Sequence, residues 1–330
     1  MNTMPPEHEA LAILTQQQFP ELAARQLHIH PIVKGGSDRH FYRISTADDG
    51  RPLMVLMVYT MARRDNPKFV PATRRLAKHG VHVPEILAFD EDKLCVWMND
   101  LGGDDLHSHR EDPWPQRRAF YEVTLREGAK IHSIAVADLS HSDLEELEPA
   151  FDETLYEWEQ EYFLGNFVRG HLERDTTLPE HEEAHRCLRR LRHLLAREPR
   201  CLVHRDFQSQ NIILRDGEAW LVDYQGLRPG LAEYDLASLL FDPYVQLTET
   251  QRTELLELYC EMRRLPAAAC QERLYLCAAQ RLMQALGAYA NLSRNLGKPH
   301  FKQHIPAALA NLTFVCDREP SLAPLKSLFV

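Results

Sequence analysis

The stretch LVHRDFQSQNIILRDGEAWLVDYQG, residues 202–226, decides how the rest of this chain is interpreted. Its pattern predicts a strand, a tight loop, a second strand, a turn and a third strand. Asp216-Gly217 is a two-residue hairpin turn signal, because both residue types tolerate the positive φ that such turns require. With these two residues as the hairpin loop, the register places Asn211 opposite Val222.

Three polar side chains meet at the open end of this hairpin. Asn211 and Asp223 emerge side by side, and Asp206 lies on the loop that leads into the same end. Oxygen ligands of this kind suit a hard divalent cation, and a nearby carboxylate suits the removal of a proton from a hydroxyl. The residues alone therefore predict a metal site with an adjacent base.

The composition is that of a globular protein, with 330 residues, 44% apolar, 26% charged and a formal net charge of -10. This balance, without a basic stripe, argues against nucleic acid as a partner. No stretch approaches the ~18 apolar residues that cross a bilayer, and no signal peptide is evident, so no membrane partner is expected. The seven scattered cysteines contain no C-x-x-C pair, which favours a reducing, cytoplasmic location.

The first part of the chain is rich in strand-like segments joined by short turns. Such neighbours imply an antiparallel sheet of about five strands with a helix packed on it. The predicted strands are 29–33, 41–45, 53–59, 86–89 and 94–98, and the predicted helices are 7–19 and 67–79.

The character of the sequence changes after Asn99-Asp100-Leu101-Gly102-Gly103, where helical periodicity takes over. We predict an α+β fold with two lobes: a small antiparallel-sheet lobe at 1–98, a hinge at 99–103, and a mainly helical lobe at 104–330 that carries the hairpin. The predicted helices of the second lobe are 115–134, 152–172, 178–197, 234–241, 249–263, 267–291 and about 301–316.

The spacing of several motifs resembles one family. His204-Arg205-Asp206, then Asn211, then Asp223, is similar to the catalytic core of the protein-kinase-like superfamily. The surrounding residues resemble more closely the aminoglycoside phosphotransferase and choline kinase family. The segments that carry this likeness are GGSDRHFYRI, PEILAFDED, HRDFQSQN and DYQGLRPGLAEYDLASLL, and among its members they look most like bacterial kinases that phosphorylate N-acetylmuramate and N-acetylglucosamine at the anomeric hydroxyl.

The resemblance implies a two-lobed kinase-like fold, ATP and Mg²⁺ as cofactors, and a small-molecule hydroxyl as acceptor. Asp206 would be the catalytic base, and Asn211 and Asp223 would hold Mg²⁺ against the nucleotide phosphates. His204 is expected to bond backbone within the loop. Asp235 is expected to begin a helix and to tether the catalytic loop from below.

The nucleotide would lie between the lobes. Gly35, Gly36 and Ser37 would cover its phosphates with backbone N–H groups. Asn99 and Leu101 of the hinge would offer backbone groups to adenine.

The acceptor is expected to be a small molecule, because only twelve residues separate Asp223 from Asp235 and no A-P-E follows. An amino sugar such as N-acetylmuramate or N-acetylglucosamine is the leading candidate. An aminoglycoside, choline or another amino alcohol is the alternative acceptor, and it would need a strongly anionic pocket. The aromatic and acidic helix 152–172 is the expected wall of the acceptor site.

One departure from the wider superfamily stands out. The third strand, 53–59, has no lysine, and the helix after it has no glutamate, so the usual cation on the phosphates is missing. Arg39, Arg43 or Arg228 would have to compensate, and the sequence leaves this choice open. A catalytically inactive nucleotide-binding protein therefore remains an alternative.

A second motif points to different chemistry. His181-Glu182-Glu183-Ala184-His185 matches H-E-x-x-H, which in zinc proteases puts two histidines on one helical face. No third ligand is obvious, and His181 falls on the apolar stripe of its helix. The pattern is therefore interpreted as part of an ordinary amphipathic helix.

Overall fold

The structure is a computed structural model, and it describes residues 6–32, 39–47 and 50–330. Gly35, Gly36 and Ser37 lie outside the described residues, so their expected contact with phosphates stays a prediction. No helix within the described ranges is long and apolar enough to cross a membrane.

The first lobe is a five-stranded antiparallel sheet in the order β1-β2-β3-β5-β4. Side chains alternate along β3, so its two faces enter different cores. Leu56 packs on the face with Ala12 and Trp97, whereas Met57 packs on the face with Phe69. The strands are β1 Leu27–Ile32, β2 His40–Thr46, β3 Pro52–Val58, β4 Ile86–Asp90 and β5 Cys95–Met98, with helices α1 Pro6–Gln18 and α2 Phe69–Lys78.

The second lobe is mainly helical and is organised around α9, a helix of 28 residues with buried side chains along most of its length. The helix α5 continues without a break into a π-helical segment, Leu164–His171. The bounds are α3 Trp114–His132, α4 His141–Glu145, α5 Glu153–Phe163, α6 Glu182–Arg197, α7 Ala232–Leu240, α8 Glu249–Arg263, α9 Ala267–Arg294 and α10 Ile305–Arg318.

Two small sheets sit within this helical lobe. The strands β6 Cys201–Val203 and β9 Arg228–Gly230 pair with each other, as do β7 Ile212–Arg215 and β8 Glu218–Leu221. The register predicted from the turn signal is confirmed: Arg215 faces Glu218, and Val222 donates to the carbonyl of Asn211 at 3.0 Å. Asn211 itself ends a short 3₁₀ turn rather than lying in the strand.

The two lobes meet beside this hairpin. The backbone N–H of Leu221 donates to the carbonyl of His82 at 2.9 Å. The Tyr224 ring stacks on Phe69 of α2 at 5.3 Å, and its hydroxyl lies 2.8 Å from Thr73 Oγ1. These contacts place Tyr224, which follows β8, against helix α2 of the first lobe.

The α+β architecture predicted from the sequence is confirmed, with a lobe built on an antiparallel sheet and a helical lobe. One local expectation was wrong: Asp235 does not begin its helix, because α7 starts at Ala232. The sequence reasoning also missed the strand pair formed by β6 and β9, since each strand has only three residues.

Candidate active site

The loop between β6 and β7 is fixed by a buried carboxylate below it. Asp235 is fully buried in α7, and it accepts hydrogen bonds from the backbone N–H groups of His204 at 2.7 Å and Arg205 at 2.8 Å. His132 contacts the same carboxylate at 3.0 Å. The expected tether is therefore present, although it acts from inside the helix rather than at its first residue.

Two further contacts hold this loop. The buried imidazole of His204 lies 3.1 Å from the carbonyl of Val222, as expected for a structural residue. The carboxylate of Asp242 accepts from both the backbone N–H and the hydroxyl of Ser209, at 2.8 and 2.6 Å. The loop is thus bonded to β8 on one side and to the end of α7 on the other.

Arg205 adopts a left-handed backbone conformation, with φ of 78°. This conformation is unfavourable for residues other than glycine, and such strain is concentrated at functional sites. A Cβ on Gly226 would lie 3.1 Å from Cδ of Arg205, so a glycine at that position leaves room for the guanidinium. Arg205 directly precedes Asp206, so this turn sets the backbone from which the Asp206 side chain extends.

The carboxylate of Asp206 lies between two arginines. Arg205 Nη1 donates to Oδ2 at 3.1 Å, and Arg281 Nη2 lies 3.6 Å from Oδ1. Burial by itself would raise the pKa of Asp206, but the positive charges of Arg205 and Arg281 outweigh it and lower the pKa. The side chain is one quarter exposed, so a charged carboxylate remains accessible from the cleft.

Arg281 comes from α9 and is a site residue that the sequence did not reveal. Its guanidinium is held by Ser238 Oγ at 2.8 Å, by Gln284 Oε1 at 2.6 Å and by Gln208 Oε1 at 3.4 Å. No motif surrounds it, and it reaches Asp206 only through the packing of α9 against α7. Arg281 therefore brings a positive charge to the loop that carries Asp206 and Gln208.

Asn211 and Asp223 lie at the same end of the hairpin, because Asn211 is bonded to Val222, the residue before Asp223. Asn211 Nδ2 donates to the carbonyl of Asp206 at 2.8 Å, which leaves the amide oxygen for a ligand. Asp223 has φ of 66° and a side chain that is 40% exposed. Its Oδ1 accepts from Arg39 Nη2 at 2.6 Å and from Gln225 Nε2 at 3.2 Å.

The donor set fits a magnesium ion. One amide oxygen and one carboxylate suit a hard cation that keeps several of its waters. The side chain of Asp223 is 40% exposed, so a ligand can reach its carboxylate. Asn211 and Asp223 together therefore have the chemistry to hold the ion.

The hinge is held on both of its sides. The backbone N–H of Asn99 donates to the carbonyl of Glu85 at 3.0 Å, and its side-chain oxygen accepts from the N–H of Glu85 at 2.9 Å. Arg43 of β2 donates to both carboxylate oxygens of Asp100. The expected contact of Asn99 and Leu101 with adenine remains a prediction, and the N–H of Asn99 is already used within the protein.

The three arginines named as substitutes for the missing lysine have separate partners. Arg43 binds the hinge, and Arg228 donates to the carbonyl of Gly226 at 3.0 Å and lies 3.7 Å from Glu148. Arg39 alone of these three contacts the expected metal ligand Asp223.

The acidic residues of the helix that was expected to line the acceptor site are largely paired or buried. Glu157 on α5 pairs with Arg192 at 2.8 Å, and Glu159 is buried, accepting from the Tyr234 hydroxyl at 3.0 Å. Burial raises the pKa of Glu159, and the neighbouring arginines and the hydrogen bonds with Gln280 and Tyr234 offset only part of this rise. The exposed Trp158 ring stacks on Tyr162 at 5.1 Å, so the open side of this helix is aromatic.

The H-E-x-x-H pattern does not form a metal site among the described residues. His181 is buried and lies near Ser327, and His185 Nε2 contacts the carbonyl of Thr176 at 2.8 Å. Among the described residues, the one group of three or more His, Cys, Asp or Glu side chains close enough to share an ion is elsewhere, at His82, Glu127 and Glu218. Lys130 Nζ already forms an ion pair with the Glu127 carboxylate at 2.6 Å.

Comparison with known families places these features in context. A family model described as the phosphotransferase enzyme family matches residues 28–270. An N-acetylmuramate/N-acetylglucosamine kinase from Neisseria meningitidis is 29% identical over 76% of this chain and 75% of its own length. A kinase of the same name from Pseudomonas aeruginosa is 27% identical over 90% of this chain and 87% of its own length.

Solved structures with the same fold are more distant in sequence. A choline/ethanolamine kinase family protein from Mesorhizobium loti superposes with a TM-score of 0.66 at 17% identity, covering 97% of this chain and 98% of that one. The ADP-bound aminoglycoside phosphotransferase APH(2'')-Ib gives 0.63 at 12% identity, covering 94% and 99%. These likenesses support the two-lobed kinase-like fold.

Proposed function

The chain belongs to the phosphotransferase enzyme family and is a small-molecule kinase, and from this premise we propose that it phosphorylates an amino sugar. The proposed acceptor is N-acetylmuramate or N-acetylglucosamine, and the proposed site of transfer is the anomeric hydroxyl. ATP would be the phosphoryl donor and Mg²⁺ its counter-ion. The names of the two kinases from Neisseria and Pseudomonas support this choice of acceptor.

The observation that carries the proposal is the charge around Asp206. Two guanidiniums, from Arg205 and Arg281, flank this carboxylate, and Arg281 is itself buried. An aminoglycoside or choline would bring a cation toward these arginines, and this like-charge contact is unfavourable. An N-acetylated sugar has no such charge, and the carboxylate of N-acetylmuramate would be attracted to them.

We assign roles to the loop residues as part of this proposal. Asp206 would accept the proton of the sugar hydroxyl as that oxygen attacks the γ-phosphorus and the bond to the β–γ bridging oxygen breaks, so that ADP leaves. The lowered pKa keeps the base ionised. Asn211 and Asp223 would hold Mg²⁺, whose charge would neutralise that of the phosphates. Gly35, Gly36 and Ser37 would cover the phosphates, and Asn99 and Leu101 would face adenine.

The aromatic side of α5 supports a carbohydrate acceptor. Trp158 is 53% exposed and is stacked on Tyr162, so a broad apolar ring surface faces solvent next to the buried Glu159. Sugar rings present C–H groups that pack on such faces. The neutralised acidic residues of the same helix leave little negative charge to attract a cationic acceptor.

The test is a screen of ATP consumption over N-acetylmuramate, N-acetylglucosamine, aminoglycosides and choline, with phosphorus NMR of any product. We expect turnover with the two sugars and the resonance of an anomeric phosphate. The methyl glycoside of N-acetylglucosamine is the matched control, because its anomeric oxygen is blocked and it should not react. Turnover of aminoglycosides or choline without the sugars, or of no acceptor at all, would contradict the proposal.

A further inference from the structure

We propose that Arg39 binds the nucleotide phosphates in this enzyme, as the replacement for the missing lysine of the third strand. The proposal rests on the nucleotide-dependent function given above, and it concerns how the phosphates are held rather than which acceptor is used. It is carried by the apolar third strand, by the position of Arg39 at the metal ligand, and by the engagement of the other arginines.

The third strand offers no cation to the cleft. Its residues on that face are Val55 and Met57, which are buried in the same apolar cluster as Phe69 of α2. The position that a lysine would need is therefore closed by packed side chains. A charge brought there would lose its hydration without a partner on α2, and such burial is unfavourable.

The neighbouring strand β2 supplies a cation on the same face. Phe41 and Arg43 lie opposite Met57 and Val55, and they face the cleft. Arg39 continues this alternation, since it lies two residues before Phe41. Its side chain is 3% exposed, so the guanidinium lies within the protein and not on an outer surface.

The contact of Arg39 places it beside the proposed metal position. Nη2 lies 2.6 Å from Oδ1 of Asp223. A magnesium ion held by Asp223 would bring nucleotide phosphates close to this carboxylate, because Mg²⁺ is bound by carboxylates together with substrate phosphates. A guanidinium in contact with the same carboxylate therefore lies within reach of those phosphate oxygens.

Arginine suits this role because of the shape of its side chain. The planar guanidinium donates two parallel hydrogen bonds to phosphate oxygens, whereas an ammonium acts as a single point of charge. In the proposed complex, the Asp223 carboxylate would hold the ion and Arg39 would donate to the phosphates.

The other cations near the cleft have partners that keep them in place. Arg43 is paired with Asp100 at the hinge, and Arg228 is tied to Gly226 and Glu148. Arg205 and Arg281 face the base Asp206 and not the metal ligand. Lys34 lies outside the described residues. Within the described part of the chain, Arg39 is the arginine or lysine that contacts Asp223.

This arrangement predicts two opposite effects of removing the charge. In Arg39→Gln, ADP binding with Mg²⁺ should weaken by roughly tenfold to a hundredfold, the range expected for lost charge-assisted hydrogen bonds. Adenosine has no phosphates, so its affinity should stay within about twofold. Binding of Mn²⁺ alone should strengthen, because the guanidinium no longer competes for Asp223. A residue with only a structural role would not give these opposite changes.

The experiment is calorimetry with ADP and adenosine, together with electron paramagnetic resonance of added Mn²⁺. Arg74→Gln, an exposed arginine of α2, is the matched control and should bind all three as the wild type does. Unchanged ADP affinity in Arg39→Gln, or equal losses for ADP and adenosine, would overturn the inference.

A charge-preserving variant keeps the test decisive if Arg39→Gln does not fold. Arg39→Lys should lose less than about tenfold in ADP affinity and nothing for adenosine, since one ionic contact remains. Equal losses for both ligands in this variant would overturn the inference. A wild type that binds ADP but phosphorylates no acceptor refutes the proposed acceptor only, whereas a wild type that binds no ADP with Mg²⁺ refutes both proposals.

Discussion

The two aspartates of the site, Asp206 and Asp223, are both paired with arginine, yet their surroundings differ. The Asp206 carboxylate is one quarter exposed and is flanked by arginines of the helical lobe. The Asp223 carboxylate is 40% exposed, and its arginine, Arg39, comes from the other lobe. One ion pair lies within a lobe, and the other crosses the cleft.

This difference shows how one pair of residue types serves two purposes. At Asp206, the proposed base, both arginines belong to the helical lobe, and Arg281 is held in place by Ser238 and Gln284. At Asp223, the proposed metal ligand, the arginine comes from the other lobe. In our proposal, the residue that must keep its geometry is paired within one lobe, whereas the contact that would exchange is formed between the lobes.

The largest effect is expected from Asp206→Asn, which tests the fixed side of the comparison. The amide cannot accept the proton of the hydroxyl, so turnover should fall by roughly 10²–10⁴. ADP binding should be unchanged, because Asn211 and Asp223 remain. Steady-state rates with the reacting sugar and ADP calorimetry check both parts, and near-normal turnover would remove Asp206 from the role of base.

The anchoring of the loop is tested by Asp235→Asn. The amide group of the variant places its own N–H opposite one of the two backbone N–H donors, those of His204 and Arg205, so this buried donor loses its acceptor. We expect the free energy of unfolding to fall by about 1–3 kcal/mol. Turnover should fall as well, since Arg205 and Asp206 lose their support. Denaturant unfolding measures the stability.

The matched control for this variant is Asp216→Asn, in the exposed hairpin turn. Asparagine tolerates the positive φ of that position, so its stability should be close to that of the wild type. Equal stability of the two variants would show that Asp235 does not anchor the loop.

Arg281→Gln probes how the charge near Asp206 sets its pKa. Arg281 helps to lower this pKa, so its removal should raise it. The base is active only when ionised, and the acid limb of kcat/KM should therefore move to higher pH. Arg273→Gln, on the same helix but paired with Glu233, should leave the limb in place. A limb that stays or moves to lower pH in Arg281→Gln would contradict the assignment.

The smallest effect is expected from Tyr224→Phe, which alters the contact between the lobes beside Asp223. The ring still stacks on Phe69, and only the hydrogen bond with Thr73 is lost. Stability should fall by about 0.5–1.5 kcal/mol. A loss well above this range in denaturant unfolding would mean that the hydroxyl has a larger part in joining the lobes.

The features that were predictable from the sequence depend on local spacing. The Asp216-Gly217 turn fixed the hairpin register, and this register brought Asn211 beside Val222 and Asp223. The strands of the first lobe were predictable for the same reason, because the alternation of side chains can be recognised within each short segment. The tether at Asp235 was anticipated by the family resemblance.

The arginine contacts were not predictable in the same way. Arg39 and Asp223 are 184 residues apart, and Arg281 reaches Asp206 only because α9 packs beside α7. The sequence named Arg39 among three candidates, but the choice depends on tertiary packing. The ion pair of Glu157 on α5 was not predictable either, since its partner Arg192 lies on another helix.

The most direct test of the central claim compares Asp206→Asn with Asp223→Asn by ADP calorimetry, with and without Mg²⁺. If the first aspartate is the base and the second a metal ligand, Mg²⁺ should strengthen ADP binding in the wild type and in Asp206→Asn. It should have little effect in Asp223→Asn. The claim would be contradicted if Asp223→Asn kept the full effect of Mg²⁺, or if Asp206→Asn lost it.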